Sequence, residues 1–230
     1  MTRRNAFPLV FFALAACATN RPTQRHMTVH FQRVGEIETA LIRGDLEGAR
    51  APARYLADHE EVAGLPASGA PWLSAMRAEA HNVAAAPDLA LASGAAARMA
   101  KTCGDCHHAT RRGPRMVVSP MPQERGSSTA TEMLLHQWAA DRMRDGLIAP
   151  SDSAWAMGAM ALANDPIYQA EVGVRTGRFQ EMDEMARRSV ALGRRAAGLR
   201  DGFERAAAYG EFIASCAACH RAIGVLQPSR

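Results

Sequence analysis

Aromatic residues are scarce, making up 6% of the 230 residues. Runs of β-branched residues are few as well, and alanine fills much of the space they leave. A chain so poor in strand formers and so rich in the best helix former is expected to be all-α. Lysine is almost missing: Lys101 stands alone among 27 basic residues. That is a bias of composition rather than a sign of function. No basic block is present either. The formal charge is +4, but Arg3 and Arg4 fall in a segment expected to be removed. What remains is close to neutral, so nucleic acid is not an expected partner. Arginine scattered among glutamate along helices reads as solvated surface. Cysteine is limited to five residues, and their placement carries most of the information in the chain.

Four of the five cysteines form two copies of one pattern, Cys103-Gly104-Asp105-Cys106-His107 and Cys216-Ala217-Ala218-Cys219-His220. C-x-x-C-H is the attachment signature for c-type haem. The spacing has a chemical reason, because positions i, i+3 and i+4 of a helix share a face. Both thiols can bond the porphyrin vinyl groups while the adjacent histidine reaches the iron. One copy could be chance or half of a zinc site, and a zinc site would need further ligands. Two copies, each closing one half of a helical chain, imply two covalently attached haem c groups. They would be held by Cys103, Cys106, Cys216 and Cys219, with His107 and His220 as iron ligands.

The N-terminus reads as a targeting segment. Arg3-Arg4 is its basic start, and the apolar run Phe7 to Ala16 is too short for a permanent span. The run ends in Leu14-Ala15-Ala16-Cys17, which resembles the lipobox of bacterial lipoproteins. The resemblance implies a signal peptide over residues 1–16 and a lipid-modified Cys17. Several acyl chains would give stable membrane anchoring. An ordinary secretory signal cleaved nearby, or an uncleaved anchor, are the alternatives. Ala18, where aspartate would retain a lipoprotein at the inner membrane, favours the outer membrane. The expected location is therefore the periplasmic side of a bacterial membrane. The cysteine count then closes at four haem thiols and one lipid thiol, with none left for a disulfide.

After a short tether, residues 17–22, the chain repeats itself. A shift of 106 places Thr23 on Thr129, Met27 on Met133, His30 on His136 and Leu41-Ile42 on Leu147-Ile148. A shift of 113 places Asp88 on Asp201 and Cys103 on Cys216. The second copy therefore holds seven extra residues, expected between Pro166 and Met182, in a middle loop. The predicted units are 23–112 and 129–230, each of four helices, joined by a Pro- and Gly-containing linker, 113–128. In the first unit Val34, Ile37 and Leu41 predict the buried stripe of a helix from Thr23 to Arg43. Gly44-Asp45 breaks it, Pro52 is expected to bend the next helix, Pro71 suits a first turn, and Pro87-Asp88 opens the last. In the second unit Thr129 with Glu132 predicts a capping box, and Ser151-Asp152-Ser153 a helix start.

A four-helix unit with C-x-x-C-H at its C-terminal end resembles the class II c-type cytochromes, the cytochrome c′ and c-556 group. The resemblance covers each half in full, and implies two tandem bundles, each with a covalent haem near the end of its last helix. In that family the distal side of the haem faces the first helix, where methionine or an open position is common. Here the first helix carries Met-x-x-His in both copies, Met27 with His30 and Met133 with His136. In an antiparallel bundle the start of the first helix lies beside the end of the last. Bis-histidine ligation by His30 and His136 is the leading expectation; Met27 and Met133 are alternates, and an open site remains a third possibility. His26, His59, His81 and His108 do not repeat and read as surface. Two strong ligands would saturate the iron, which suits an electron carrier serving redox partner proteins rather than an enzyme. Five-coordinate haem would instead suit gas (NO/CO) binding or sensing, or a peroxidase, although no acid–base residue repeats in both copies.

Overall fold

The computed structural model describes residues 21–58, 64–114, 116, 118–122, 128–164 and 177–224. Residues 1–16, Cys17 and His59 lie outside the described residues, as does most of the segment expected to hold the insertion. Eight α-helices and no strand are found among the described residues. They are α1 (Arg21–Ile42), α2 (Leu46–Asp58), α3 (Ala70–Ala85), α4 (Leu89–Thr110), α5 (Thr129–Ile148), α6 (Asp152–Asn164), α7 (Phe179–Ala197) and α8 (Gly202–Ala222). A single 3₁₀ turn, Ala67–Gly69, precedes α3. No helix among the described residues is long and apolar enough to cross a membrane.

Repeat-equivalent side chains start equivalent helices. Asp88 accepts from the Leu91 amide at the start of α4, and Asp201 accepts from Phe203 and Glu204 at the start of α8. Asp45 accepts from Gly48 ahead of α2, and Ser151 from Ala154 at the start of α6. Each satisfies one or two of the amides that a helix leaves without intrahelical partners. Two local boundaries differ from expectation. The cap of α5 is Ser128, which has extended backbone and accepts from the Thr131 amide, so Thr129 is already helical. Helix α1 begins at Arg21, inside the expected tether. Helix α2 continues through Pro52, whose ring is buried and which removes one intrahelical hydrogen bond. Pro71 does sit in the first turn of α3.

Within residues 21–110 each helix packs on the next, and α4 returns to touch α1; α5 to α8 repeat that order, with α8 touching α5. The repeats also contact each other, through fewer helix pairs. Helix α4 packs along α8, α4 also touches α5, and α8 touches α1. The buried core is accordingly continuous, running from Val34, Ile37 and Leu41 of α1 to Tyr209, Phe212 and Ile213 of α8. Burying a side chain of that size stabilises by about 1.5–3 kcal/mol. The linker joins in: Met116 packs against the core, and the Trp138 indole donates to the Ser119 carbonyl at 3.0 Å.

Helices α4 and α8 are antiparallel, with Gly94 against Gly210 and Lys101 against Phe203. Alanines and glycines line the crossing; a Cβ added at Gly210 would lie 3.0 Å from the Gly94 Cα. The lone lysine closes one end, its amine 3.8 Å from the centre of the Phe203 ring and 2.6 Å from Asp105. Contacts between the repeats come in exchanged pairs. His107 reaches Ile148 while His220 reaches Ile42, and the shifts of 106 and 113 make each pair the image of the other. Glu38 and Arg144 occupy the same repeat position and meet each other. The two repeats are thus related by an approximate twofold axis passing between α4 and α8.

Candidate functional site

The two C-x-x-C-H motifs occupy the last turns of α4 and α8. All four thiols are free. Cys103 and Cys216 sit deep enough that burial, reinforced by their companion cysteines, pushes each thiol up to about 12. Burial also raises Cys106 and Cys219. Such sulfurs are held in the neutral form, which is compatible with a thioether.

Each motif histidine is held by a main-chain carbonyl of the other repeat. His107 Nδ1 donates to the Ile148 carbonyl at 2.7 Å, and His220 Nδ1 donates to the Ile42 carbonyl at 2.6 Å. A proton fixed on Nδ1 leaves the Nε2 lone pair for a metal. Burial lowers the pKa of His107, with the Ile148 contact opposing it, so the ring is kept neutral as a ligand must be.

A cavity of about 180 Å³ adjoins the second motif. Cys216, Cys219 and His220 line it from α8, Met133 and His136 from α5, and Ile42 from the end of α1. His136 is 7% exposed. The start of α5 therefore lies beside the end of α8, as antiparallel helices of one bundle require. The donor set and the mostly apolar lining fit a haem. Two thiols lie at i and i+3, an imidazole offers Nε2, and a histidine and a methionine stand close by.

In the first repeat Met27 and His30 are half-buried on α1. His26 departs from the surface reading. It is half-buried, with its ring centroid 4.4 Å from that of His30. One helical turn separates the two, so both rings lie on one face, tilted 54° to each other. His81 and His108 are exposed. The tryptophans are packing residues: Trp155 is fully buried and donates to the Ala196 carbonyl at 2.8 Å, and Trp138 is 7% exposed.

Two features escape a reading by residue type. The Ile42 and Ile148 carbonyls are main-chain atoms and carry no side-chain signature. The second is a buried polar cluster formed by Glu38, Arg144 and Tyr209. Glu38 is 3% exposed, pairs with Arg144, and accepts from the Tyr209 hydroxyl. Arg144 also lies 3.3 Å from Asp141 and 3.8 Å from Asp145. Burial raises the Glu38 carboxyl, with Arg144 the main opposing influence, and burial with Glu38 raises the Tyr209 phenol. The register of the repeat, which sets acid 38 on base 144, was the available signal.

No protein-family model matches the chain, and neither the curated proteins nor the solved structures include a significant match.

Proposed function

We propose that this protein is a dihaem c-type cytochrome, a lipid-anchored electron carrier on the periplasmic side of a bacterial membrane, with the outer membrane favoured. The observation that carries the reading is the cavity that gathers Cys216, Cys219 and His220 with His136 and Met133. Cys103, Cys106, Cys216 and Cys219 would form the thioethers, and His107 and His220 would be the proximal ligands. His136 and, by the repeat, His30 would be the distal ligands, with Met133 and Met27 as alternates. Haem, when bound, supplies a one-electron couple whose potential depends on axial ligand and burial. The residues themselves supply an apolar lining, hold neutral sulfur and present imidazole. On this reading residues 23–112 and 129–230 are two haem-binding four-helix bundles of the cytochrome c′ type, joined by residues 113–128. Cys17 would carry the lipid, and redox proteins of the envelope would be the partners.

A second reading, gas binding at five-coordinate haem, draws on the same cavity, where His136 would face a bound gas rather than ligate the iron. The spectrum of the reduced, exported protein separates the two. Electron transfer predicts sharp low-spin α and β bands that carbon monoxide does not change. A broad high-spin spectrum that shifts with carbon monoxide would sink the bis-histidine reading. Replacing His136 with alanine should make one haem high-spin or pass the position to Met133; an unchanged spectrum removes His136 from the ligand set.

A further inference from the structure

We infer that each proximal imidazole is oriented and tuned by the opposite repeat, through the carbonyl at the end of that repeat's first helix. Ile42 is the last residue of α1 and Ile148 the last of α5. Carbonyls in the final turn of a helix have no intrahelical partner and carry the negative end of its dipole. Both are aimed at an imidazole N–H, at 2.6 and 2.7 Å. The inference rests on the haem reading, because the imidazole matters in this way only as an iron ligand.

The surrounding packing fixes the two carbonyls in place. Beyond α1 the chain turns at Gly44, with φ +80, where a Cβ would lie 2.6 Å from the Arg221 Cγ and 3.3 Å from the Ala217 carbonyl oxygen. At the end of α5 the Leu147 carbonyl, and Pro150 just beyond the helix, crowd Gly104, within the first motif. Positions 44 and 150 are equivalent in the repeat, so the same turn seats itself on the opposite motif helix twice. A histidine near a helix end can serve merely as a capping donor. Here the capped helix belongs to the other repeat, and the donor is the residue that C-x-x-C-H assigns to the iron.

The consequence is electronic as well as geometric. An Nδ1–H held by a carbonyl fixes the tautomer, orients the ring and makes the ligand more basic. A more basic imidazole favours the oxidised iron and lowers the potential. Each repeat would thereby adjust the potential of the haem it does not hold, and neither site is complete without the other half of the chain.

Gly44→Val in the full-length dihaem protein tests this directly, because it strains the turn after α1 and replaces no haem ligand. The readout is a potentiometric titration. One of the two reduction steps should move to higher potential, and it should be the step lost when Cys216 and Cys219 are both replaced by alanine. Movement only of the step lost in the Cys103→Ala, Cys106→Ala variant, or of neither, overturns the inference. Nuclear magnetic resonance of the reduced wild-type protein, with ¹⁵N-labelled histidine, needs no variant to fold. It should show a slowly exchanging His220 Nδ1–H with cross-relaxation to the Ile42–Arg43 backbone, and the same for His107 with Ile148–Ala149. Rapid exchange of both protons with water overturns it. A protein carrying no haem at all would instead sink the cytochrome reading, a distinct failure visible before either experiment begins.

Discussion

A methyl group added at Gly158 would lie 2.5 Å from the Ala139 carbonyl oxygen and 2.9 Å from the Met143 amide nitrogen. Both are backbone atoms, so α5 and α6 would have to separate. Gly158→Ala is expected to cost about 1–3 kcal/mol, the usual range for overpacking a filled interior, read as a lower denaturant midpoint with an unchanged slope. The same change at Gly177 meets no atom within 4 Å, and its penalty is confined to φ +66, on the order of 1 kcal/mol. The repeat puts Pro52 where the second copy has Gly158, which shows how differently one buried position can be filled. At this scale the two C-x-x-C-H motifs stand out, because their signal is particular side chains at a particular spacing. The histidine acceptors were not, since a carbonyl is common to every residue. His26 was misplaced because an unrepeated residue gave no reason to expect its ring against that of His30.

Helices α1 and α5 meet through Glu38 and Arg144, one position of the repeat occupied by opposite charges. Were the copies identical here, two like charges would face each other in a buried site. Glu38 lies near enough to Cys216 to help raise its thiol, after burial and Cys219, so the cluster borders the second motif. Removing one partner of a buried pair leaves a stranded charge, and Arg144→Met is expected to destabilise by about 3–5 kcal/mol near neutral pH. The pH dependence follows from the sign of the Glu38 shift. Burial raises its folded-state pKa above 4.5, so the folded form holds the proton more tightly than the unfolded chain. The stability this contributes is complete below the unfolded value and is lost as pH rises through the folded value. Loss of Arg144 raises the folded value further. The deficit in Arg144→Met should therefore be small near about pH 4 and grow toward neutrality. Adding Glu38→Gln should recover much of it and flatten the profile; urea titrations at several pH values measure both. A deficit independent of pH would mean that the Glu38 charge is not its source. Element starts were largely legible at this scale, since Asp88, Asp201 and Ser151 cap as short acceptors should. Ser128 was not, because the serine and threonine pattern around it offers two plausible caps one residue apart.

Across the whole molecule, the linear repeat gave two units, and the structure adds how they interlock. Alanine and glycine along α4 and α8 look like mere helix formers in the sequence, yet they permit the close crossing on the approximate twofold axis. Such a pattern names no partner, so the exchange of helix ends between repeats could not be read from it. Each half leaves an apolar face on α4 or α8 that the other covers. Residues 17–112 and 113–230 produced as separate chains are therefore expected to associate one to one when mixed, by sedimentation. Two halves that remain monomeric and stably folded would contradict the joined core.

Covalent haem at both motifs is the central proposal, and the mass of the unfolded, exported protein tests it most directly. Denaturation strips any haem held only by packing or by iron ligands, whereas thioethers survive it. The expected mass is that of the chain, with whatever its N-terminus carries, plus two haem groups. It should fall to one haem when Cys103 and Cys106, or Cys216 and Cys219, are replaced by alanine. A chain expressed with functioning haem-attachment machinery that shows no added haem, and four thiols that still react with an alkylating reagent, would contradict it.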